Sequence, residues 1–218
     1  MRIPNHIGII PDGNRRWAEA QGMSKEKGYD QGLYPGLRLY QLCKQIGVKE
    51  VTFYGFTHDN TKRPRIQVQA FQKACVDAVN LLVQQEDGEL LVIGNTQSSA
   101  FPRELLPYTK RIKIGKGSIK LNFLVNYGWE WDLSQIKRLA SEIATSSNPI
   151  QKNLYSSDIS RIDLIIRWGG RRRLSGLLPI QSVYADFYVI DDYWPDFRDH
   201  HLYDALAWYN QQDITLGG

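Results

Sequence analysis

The sequence predicts an α/β domain with a central, mostly parallel sheet flanked by helices. Short apolar runs alternate with amphipathic stretches along the whole chain, which is typical of parallel strands joined by helices. The 218 residues are enough for one domain with its own core, and 42% of them are hydrophobic. Since no low-complexity linker divides the chain, we expect a single domain over residues 1–218.

Six apolar runs are predicted to form the strands of this sheet. They are short, and the first of them is almost entirely apolar, which is typical of a buried strand. The runs are His6–Pro11, Glu50–Phe56, Leu90–Gly94, Ile119–Val125, Leu164–Arg167 and Phe187–Ile190.

Helices are predicted between and after these strands, over residues 30–46, 66–85, 132–144 and 199–211. The second of them has apolar residues at a spacing of three or four, which places them on one helix face. Asp132 is expected to cap the third helix, since Asp is favoured at that position.

The charge balance is only mildly basic. Lys and Arg total 27 against 23 Asp and Glu, which suits an anionic small substrate, an anionic membrane surface or nucleic acid without selecting one. No apolar run approaches the ~20 residues of a membrane span. The N-terminus has no cleavage site of a secretory signal. These features predict a cytoplasmic protein without a transmembrane segment.

Cysteine and histidine give no metal-ligand pattern. Cys43 and Cys75 lie far apart, so we expect two reduced thiols. His6, His200 and His201 are expected at a strand edge and on the surface, because the adjacent pair has no third ligand at a useful spacing.

Three polar loops follow predicted strands and are expected to converge, because ligands bind at the carboxyl ends of parallel strands. The loops are Pro11–Trp17 (PDGNRRW), Phe56–Pro64 (FTHDNTKRP) and Arg167–Gly176 (RWGGRRRLSG). Each also has an ordinary interpretation, respectively a turn, a helix-capping cluster and a solvated basic turn. The four arginines of the third loop would repel each other without an anion, which favours a binding site there.

The first loop has the residues of a phosphate site with a metal. Gly13 and Asn14 tolerate unusual backbone angles, and the N-terminus of the following helix attracts anions. Asp12 beside such a site suits Mg²⁺, which binds one or two carboxylates together with phosphate oxygens. Asp186, just before the last strand, is a second carboxylate that would meet Asp12 if it joined the same site.

Four segments in this order resemble the cis-prenyltransferase family, the enzymes similar to undecaprenyl diphosphate synthase. The segments are HIGIIPDGNRRWA, YGFTHDNTKRP, DLIIRWGGRRRLSG and QSVYADFYVIDDYWPDF. The resemblance covers nearly the whole chain. It implies a homodimeric α/β enzyme that uses Mg²⁺ to join isopentenyl diphosphate to an allylic diphosphate.

The resemblance also implies residue roles. Asp12, Thr57 and Asn60 would be catalytic, and Asp12 and Asp186 would bind the metal. Substrate binding would fall to Gly13, Asn14, Arg15, Arg16, Trp17, Lys25, Tyr29, His58, Arg63, Arg167, Arg172, Arg173 and Ser175. An apolar tunnel for the product is expected between helices 30–46 and 66–85, lined by Leu37, Phe71, Cys75 and Val79.

Departures from the family pattern predict a divergent member with a short or unusual product, as in the lavandulyl-type branch. They are Lys25 for Arg, Tyr29 for His, Thr61 for Trp, Trp168 for Thr, Arg171 for Glu, Pro179 for Trp, and Thr215 and Leu216 where an Arg-x-Gly motif is usual. Two alternatives stay open: a cyclase-like enzyme that acts on one allylic diphosphate, and a non-catalytic partner subunit. Binding of nucleic acid is not expected, and contact with a membrane would be loose, through the product.

Overall fold

A computed structural model describes residues 2–138 and 149–213 of the chain. Its centre is a seven-stranded sheet in the order β4-β3-β5-β2-β1-β6-β7. The strands are β1 His6–Ile10, β2 Glu50–Tyr54, β3 Gly88–Ile93, β4 Ile112–Ile114, β5 Lys120–Leu124, β6 Leu164–Arg167 and β7 Asp186–Val189. Only β3 and β4 pair antiparallel. The predicted fold class is confirmed.

Seven α-helices lie in the described part of the chain. They are α1 Asn14–Ala20, α2 Gly28–Gln31, α3 Leu33–Ile46, α4 Arg65–Val83, α5 Trp129–Arg138, α6 Pro149–Lys152 and α7 Asp199–Asn210. None of these helices is both long and apolar enough to cross a bilayer. The predicted helix 132–144 is present to Arg138, and its remainder lies outside the described residues.

The sheet is covered on both faces, as its apolar strands require. Alternate residues of a strand point to opposite faces, so Ile9 packs on one side and Ile10 on the other. The first face is covered by α3, α4 and α7, and the second packs against the segments around Ile162 and Leu177. The carboxyl ends of the parallel strands stay open between these two layers.

Three details of the predicted elements are wrong. The helix predicted over 30–46 is two helices that meet at Gly32, whose carbonyl accepts the Trp194 indole N–H at 2.9 Å. Asp132 does not cap α5, because that helix already begins at Trp129 and the buried Asp132 carboxylate accepts the Tyr127 hydroxyl at 2.8 Å. Strand β4 was not predicted, because its three residues are too few to show an alternation in the sequence.

The surface prediction is right for His200 and wrong for His6 and His201, which are both buried. Nε2 of His6 lies 2.7 Å from the Thr52 hydroxyl, and Nε2 of His201 lies 3.0 Å from the Asp192 carboxylate. Burial lowers the pKa of both imidazoles below the usual 6.5. Cys43 and Cys75 are buried free thiols, in agreement with the sequence.

Candidate active site

A cavity of about 940 Å³ opens at the carboxyl ends of β1, β2 and β6. All three predicted loops contribute to its wall, so their convergence is confirmed. Thirteen of the predicted site residues line it: Asp12, Gly13, Asn14, Arg15, Arg16, Tyr29, Thr57, His58, Asn60, Arg63, Arg167, Arg173 and Ser175.

Asp12 lies between two arginines at the floor of the cavity. Its Oδ2 accepts a hydrogen bond from Arg167 at 2.7 Å, and its Oδ1 lies 3.3 Å from Arg16 and accepts the Gly13 N–H at 2.6 Å. Burial opposes ionisation of this carboxyl, but the hydrogen bond and charge of Arg167, with that of Arg16, hold its pKa below the usual value. Asp12 is therefore an anion at neutral pH.

Arg16 links the first loop to the third. Its Nη1 donates to the Gly169 carbonyl at 2.9 Å, and its guanidinium lies 5.1 Å from the Tyr193 ring. Gly169 has a φ of +81°, and a Cβ there would lie 2.5 Å from Nη2 of Arg16. Gly13 is equally restricted, with a φ of +107° and Tyr193 in the space of its missing Cβ. The close approach of these loops requires glycine at both positions.

The second loop is held by its own capping interactions. The side-chain carbonyl of Asn60 accepts the Thr57 N–H at 3.0 Å, and the Asn60 N–H donates to the Thr57 backbone carbonyl, also at 3.0 Å. The His58 N–H donates to the Tyr127 carbonyl at 2.8 Å, which ties the loop to the end of β5. Because the cap uses only the oxygen of the Asn60 amide, its N–H₂ group is not consumed by it.

Arg63 lies over an aromatic floor. It donates to the Tyr29 hydroxyl at 2.9 Å, and the Tyr29 ring stacks on Phe71 with 4.4 Å between centroids. Burial lowers the pKa of this guanidinium, and the nearby Tyr29 opposes the change. Arginine stays charged in proteins, so Arg63 remains a fixed cation beside the cavity.

Arg167 is the most buried charge of the site. It donates to the Ser175 hydroxyl at 2.8 Å and to the Arg173 carbonyl, in addition to its bond with Asp12. Its Nε is buried with no hydrogen-bond partner among the described residues. Ser175 has a φ of +53°, and its carbonyl accepts the Tyr54 hydroxyl at 2.8 Å. These contacts hold the third loop against the sheet.

Three of the predicted site residues lie outside the cavity wall, on the surface nearby. The Trp17 indole N–H donates to Asp196 at 2.8 Å, and Lys25 forms an ion pair with Glu19 at 3.0 Å. Arg171, Arg172 and Arg173 are all exposed, and Arg172 is the one of them that does not line the cavity. The contact of Trp17, Lys25 and Arg172 with the substrate stays a prediction.

Asp186 is the fourth predicted residue outside the cavity. It begins β7 and pairs with Leu164, the first residue of β6, whereas Asp12 follows the other end of β1. The two carboxylates therefore lie at opposite ends of the sheet within one chain. In residues 2–138 and 149–213, no three His, Cys, Asp or Glu side chains form a group that would hold a metal.

The sequence analysis missed a fourth loop, which follows β5. Its residues Tyr127 and Gly128, with Trp129 and Glu130 of the first turn of α5, line the cavity. Other lining residues outside the predicted set are Ile10, Pro11, Tyr54, Gly55, Asp59, Lys62, Phe71 and Arg171. The loop stands directly after the predicted strand Ile119–Val125, so the rule that located the other three loops also locates this one.

A smaller apolar pocket of about 50 Å³ lies between α3, α4 and the sheet, and shares Pro11 with the large cavity. Leu37 lines it, as predicted, with Phe53, Phe123 and Trp194 around it. The other three residues predicted for the tunnel do not line this pocket. Phe71 lines the large cavity instead, and Cys75 and Val79 are buried in the core.

The fold and the cavity together define an α/β protein with a polar site suited to diphosphate groups. One protein family and two known proteins are similar to this chain in sequence. The family described as "Putative undecaprenyl diphosphate synthase" matches residues 10–217. The chain is 34% identical to an isoprenyl transferase of Streptococcus thermophilus, over 99% of this chain and 94% of that protein. It is 30% identical to a ditrans,polycis-undecaprenyl-diphosphate synthase of Aliivibrio fischeri, over 99% and 89%.

A solved structure agrees in fold. It is lavandulyl diphosphate synthase from Lavandula x intermedia in complex with dimethylallyl diphosphate, with a TM-score of 0.85 and 24% identity, over 99% of this chain and 98% of that one. The chain belongs to the undecaprenyl diphosphate synthase family of prenyltransferases.

Proposed function

We propose that this chain is a Mg²⁺-dependent prenyltransferase that joins an allylic diphosphate to isopentenyl diphosphate or to a second five-carbon prenyl diphosphate. The observation that carries the proposal is the single cavity in which Asp12 and six arginines converge. Two diphosphates bring several negative charges into one space, and guanidinium groups bind such oxygens in pairs.

Asp12 is the protein group that fits Mg²⁺. It is ionised, its side chain is 32% exposed, and it lies on the cavity wall, so one carboxylate and the diphosphate oxygens would form the usual Mg²⁺ ligand set. The metal, when bound, would neutralise charge on the leaving diphosphate. Asp186 is too far along the sheet to join Asp12 in the same chain.

The arginines divide into two groups, one for each substrate. Arg15, Arg16 and Arg63 surround the first and second loops, where the allylic diphosphate is proposed to bind. The third loop supplies Arg167, Arg171 and Arg173 for the second diphosphate. Positive groups fixed in place before the reaction stabilise the charge that develops as the allylic diphosphate leaves.

Thr57 and Asn60 are proposed to assist loss of the proton that ends the condensation. Their two hydrogen bonds fix the Asn60 side chain at the cavity wall, while its N–H₂ group can still orient a diphosphate oxygen or a water. The proton that leaves the condensing carbon would pass to this diphosphate oxygen or water, which must lie within hydrogen-bond reach of that carbon.

The size of the apolar pocket supports a short product. Its volume of about 50 Å³ has room for only a few water molecules. A prenyl chain of many units would not fit there. The fold it shares with an enzyme solved with dimethylallyl diphosphate is consistent with five-carbon substrates.

Two further features stay proposals. We propose a cytoplasmic location, which agrees with the two free thiols. We also propose a homodimer, as the resemblance to the family implies.

Substitution of Asp12 tests the proposed function. Purified protein is incubated with Mg²⁺, dimethylallyl diphosphate and labelled isopentenyl diphosphate. We expect Asp12→Ala and Asp12→Asn to lose at least about 100-fold in turnover, because a preorganised charge is removed from the reacting centre. Asp77→Ala is the matched control, since this carboxylate lies on α4 outside the cavity and pairs with Lys73.

Thermal unfolding of each variant shows whether it is folded. Full activity in folded Asp12→Asn would overturn the proposed role of Asp12. Products formed without isopentenyl diphosphate would favour the cyclase-like alternative. A folded wild-type chain with no turnover would favour the partner-subunit alternative.

A further inference from the structure

We propose that Tyr54, Tyr127 and Trp129 form an aromatic wall that binds the hydrocarbon part of the second substrate, with Trp129 as its main contact. The inference rests on the proposed function and adds a specificity-determining residue to it. Tyr127 precedes α5 and Trp129 begins it, in a stretch after β5 that none of the four recognised segments includes.

The wall adjoins the loop proposed to bind the second diphosphate. Gly176 has a φ of +81°, and a Cβ there would lie 2.8 Å from Cδ1 of Trp129 and 3.5 Å from the Tyr54 hydroxyl. Ser175, one residue earlier, binds Arg167. A five-carbon diphosphate held by this loop therefore has its hydrocarbon end within reach of the indole.

Tyr54 and Tyr127 line the cavity but are almost fully buried, and their hydroxyls are engaged in hydrogen bonds. The Tyr54 hydroxyl donates to the Ser175 carbonyl at 2.8 Å, and the Tyr127 hydroxyl donates to Asp132, also at 2.8 Å. Their rings meet edge to face with 6.1 Å between centroids. An aromatic surface with satisfied polar ends is suited to a small branched hydrocarbon.

Trp129 differs from the two tyrosines in exposure. Its side chain is 43% exposed and lines the cavity, whereas Tyr54 and Tyr127 are almost fully buried. A bound hydrocarbon would remove apolar area of Trp129 from water, and this burial is the driving force that we assign to it.

The wall is separate from the small apolar pocket. Tyr54 and Tyr127 belong to the core on the second face of the sheet, whereas Phe53 and Phe123 of the pocket belong to the core on the first face. The two hydrocarbon groups thus have different surroundings: the pocket beside α3 and α4 for the allylic chain, and the aromatic wall for the second substrate.

Binding measurements separate the hydrocarbon contact from the diphosphate contact. The allylic site is first filled with a thiodiphosphate analogue of dimethylallyl diphosphate, and calorimetry then gives Kd for isopentenyl diphosphate and for inorganic pyrophosphate. We expect Trp129→Ala to raise the Kd of isopentenyl diphosphate about tenfold, because it removes the most exposed residue of the aromatic wall. The Kd of pyrophosphate should rise less than about twofold.

Two further variants complete the test. Trp129→Phe should restore most of the affinity, and Tyr34→Ala, an exposed aromatic residue on α3 outside the cavity, should change neither ligand. If Trp129→Ala raised the Kd of both ligands equally, or left the Kd of isopentenyl diphosphate unchanged, the inference would be overturned. A wild-type protein that binds both ligands but shows no turnover would contradict the proposed function and not this inference, because the two Kd values are measured without reaction.

Discussion

Replacement of Gly169 by alanine should displace the Arg16 side chain while it leaves the protein folded. A Cβ at this position would lie 2.5 Å from Nη2 of Arg16 and 3.2 Å from the Asp12 backbone carbonyl. Ordinary contact begins near 3.4 Å, so the guanidinium must move by about 0.9 Å (3.4 − 2.5). The end of an arginine moves at little cost, so the chain should still fold.

The effect on catalysis should be much larger than the effect on folding. The displacement weakens the contact between Arg16 and Asp12, at 3.3 Å, and the bond from Arg16 to the Gly169 carbonyl, at 2.9 Å. Misplacement of an active-site group by about 1 Å costs on the order of 100-fold in rate. The left-handed backbone of alanine adds a loss of about 1–2 kcal/mol in the free energy of unfolding.

Gly47→Ala is the matched control for this backbone cost. Gly47 has a φ of +89°, close to the +81° of Gly169, and a Cβ there would meet nothing within 4 Å. Both variants should lose similar stability in urea, but only Gly169→Ala should lose kcat. A Gly169→Ala protein that keeps its wild-type kcat, at equal folded fraction, would refute the role assigned to Arg16.

Three further predictions follow from single contacts. Ser175→Ala removes the hydroxyl that binds Arg167 and should raise KM for the second substrate about tenfold. An equal rise in KM for the allylic substrate would contradict this prediction. Burial lowers the pKa of His6 and His201, so the unfolded chain binds more protons than the folded one near the usual pKa of 6.5. The urea midpoint of unfolding should therefore fall as the pH drops from about 7 to about 5. A midpoint that does not change over this range would contradict the prediction. Leu37→Ala enlarges the apolar pocket and should lengthen the longest product by one five-carbon unit in mass spectra, whereas an unchanged product would oppose the pocket's role.

The sequence predicted the sheet well because its strands are short, apolar and buried on both faces. Five of the six predicted strands overlap parallel strands, with ends within two residues, and the sixth is shifted by one residue to Asp186–Val189. Strand β4 was missed because a three-residue strand at the sheet edge has no period to detect. The break at Gly32 depends on Trp194, which is 162 residues away and invisible to helical periodicity.

The candidate site was predictable where it depends on topology. Asp12 and Thr57 follow parallel strands and Arg167 ends one, so the sheet brings the three residues to one edge. Trp17 and Lys25 were predicted at the same site but bind Asp196 and Glu19, because side-chain direction on a helix depends on packing that spacing does not give.

Asp186 shows the limit of motif reasoning most clearly. It stands at the first residue of β7 and not after its last, so register alone places it away from Asp12. The buried networks were also out of reach. The Tyr127 hydroxyl finds Asp132 five residues on, across the start of α5, and the same carboxylate accepts the Ser156 hydroxyl at 2.6 Å.

A product assay tests the central claim most directly. Purified protein with Mg²⁺ is given dimethylallyl, geranyl or farnesyl diphosphate in turn, with ¹³C-labelled isopentenyl diphosphate present or omitted, and products are identified by mass spectrometry. The account predicts a prenyl diphosphate that contains one or a few added five-carbon units, formed with dimethylallyl diphosphate as the allylic substrate. A linear product of typical polyprenyl length, or no coupling of any pair of diphosphates, would contradict it.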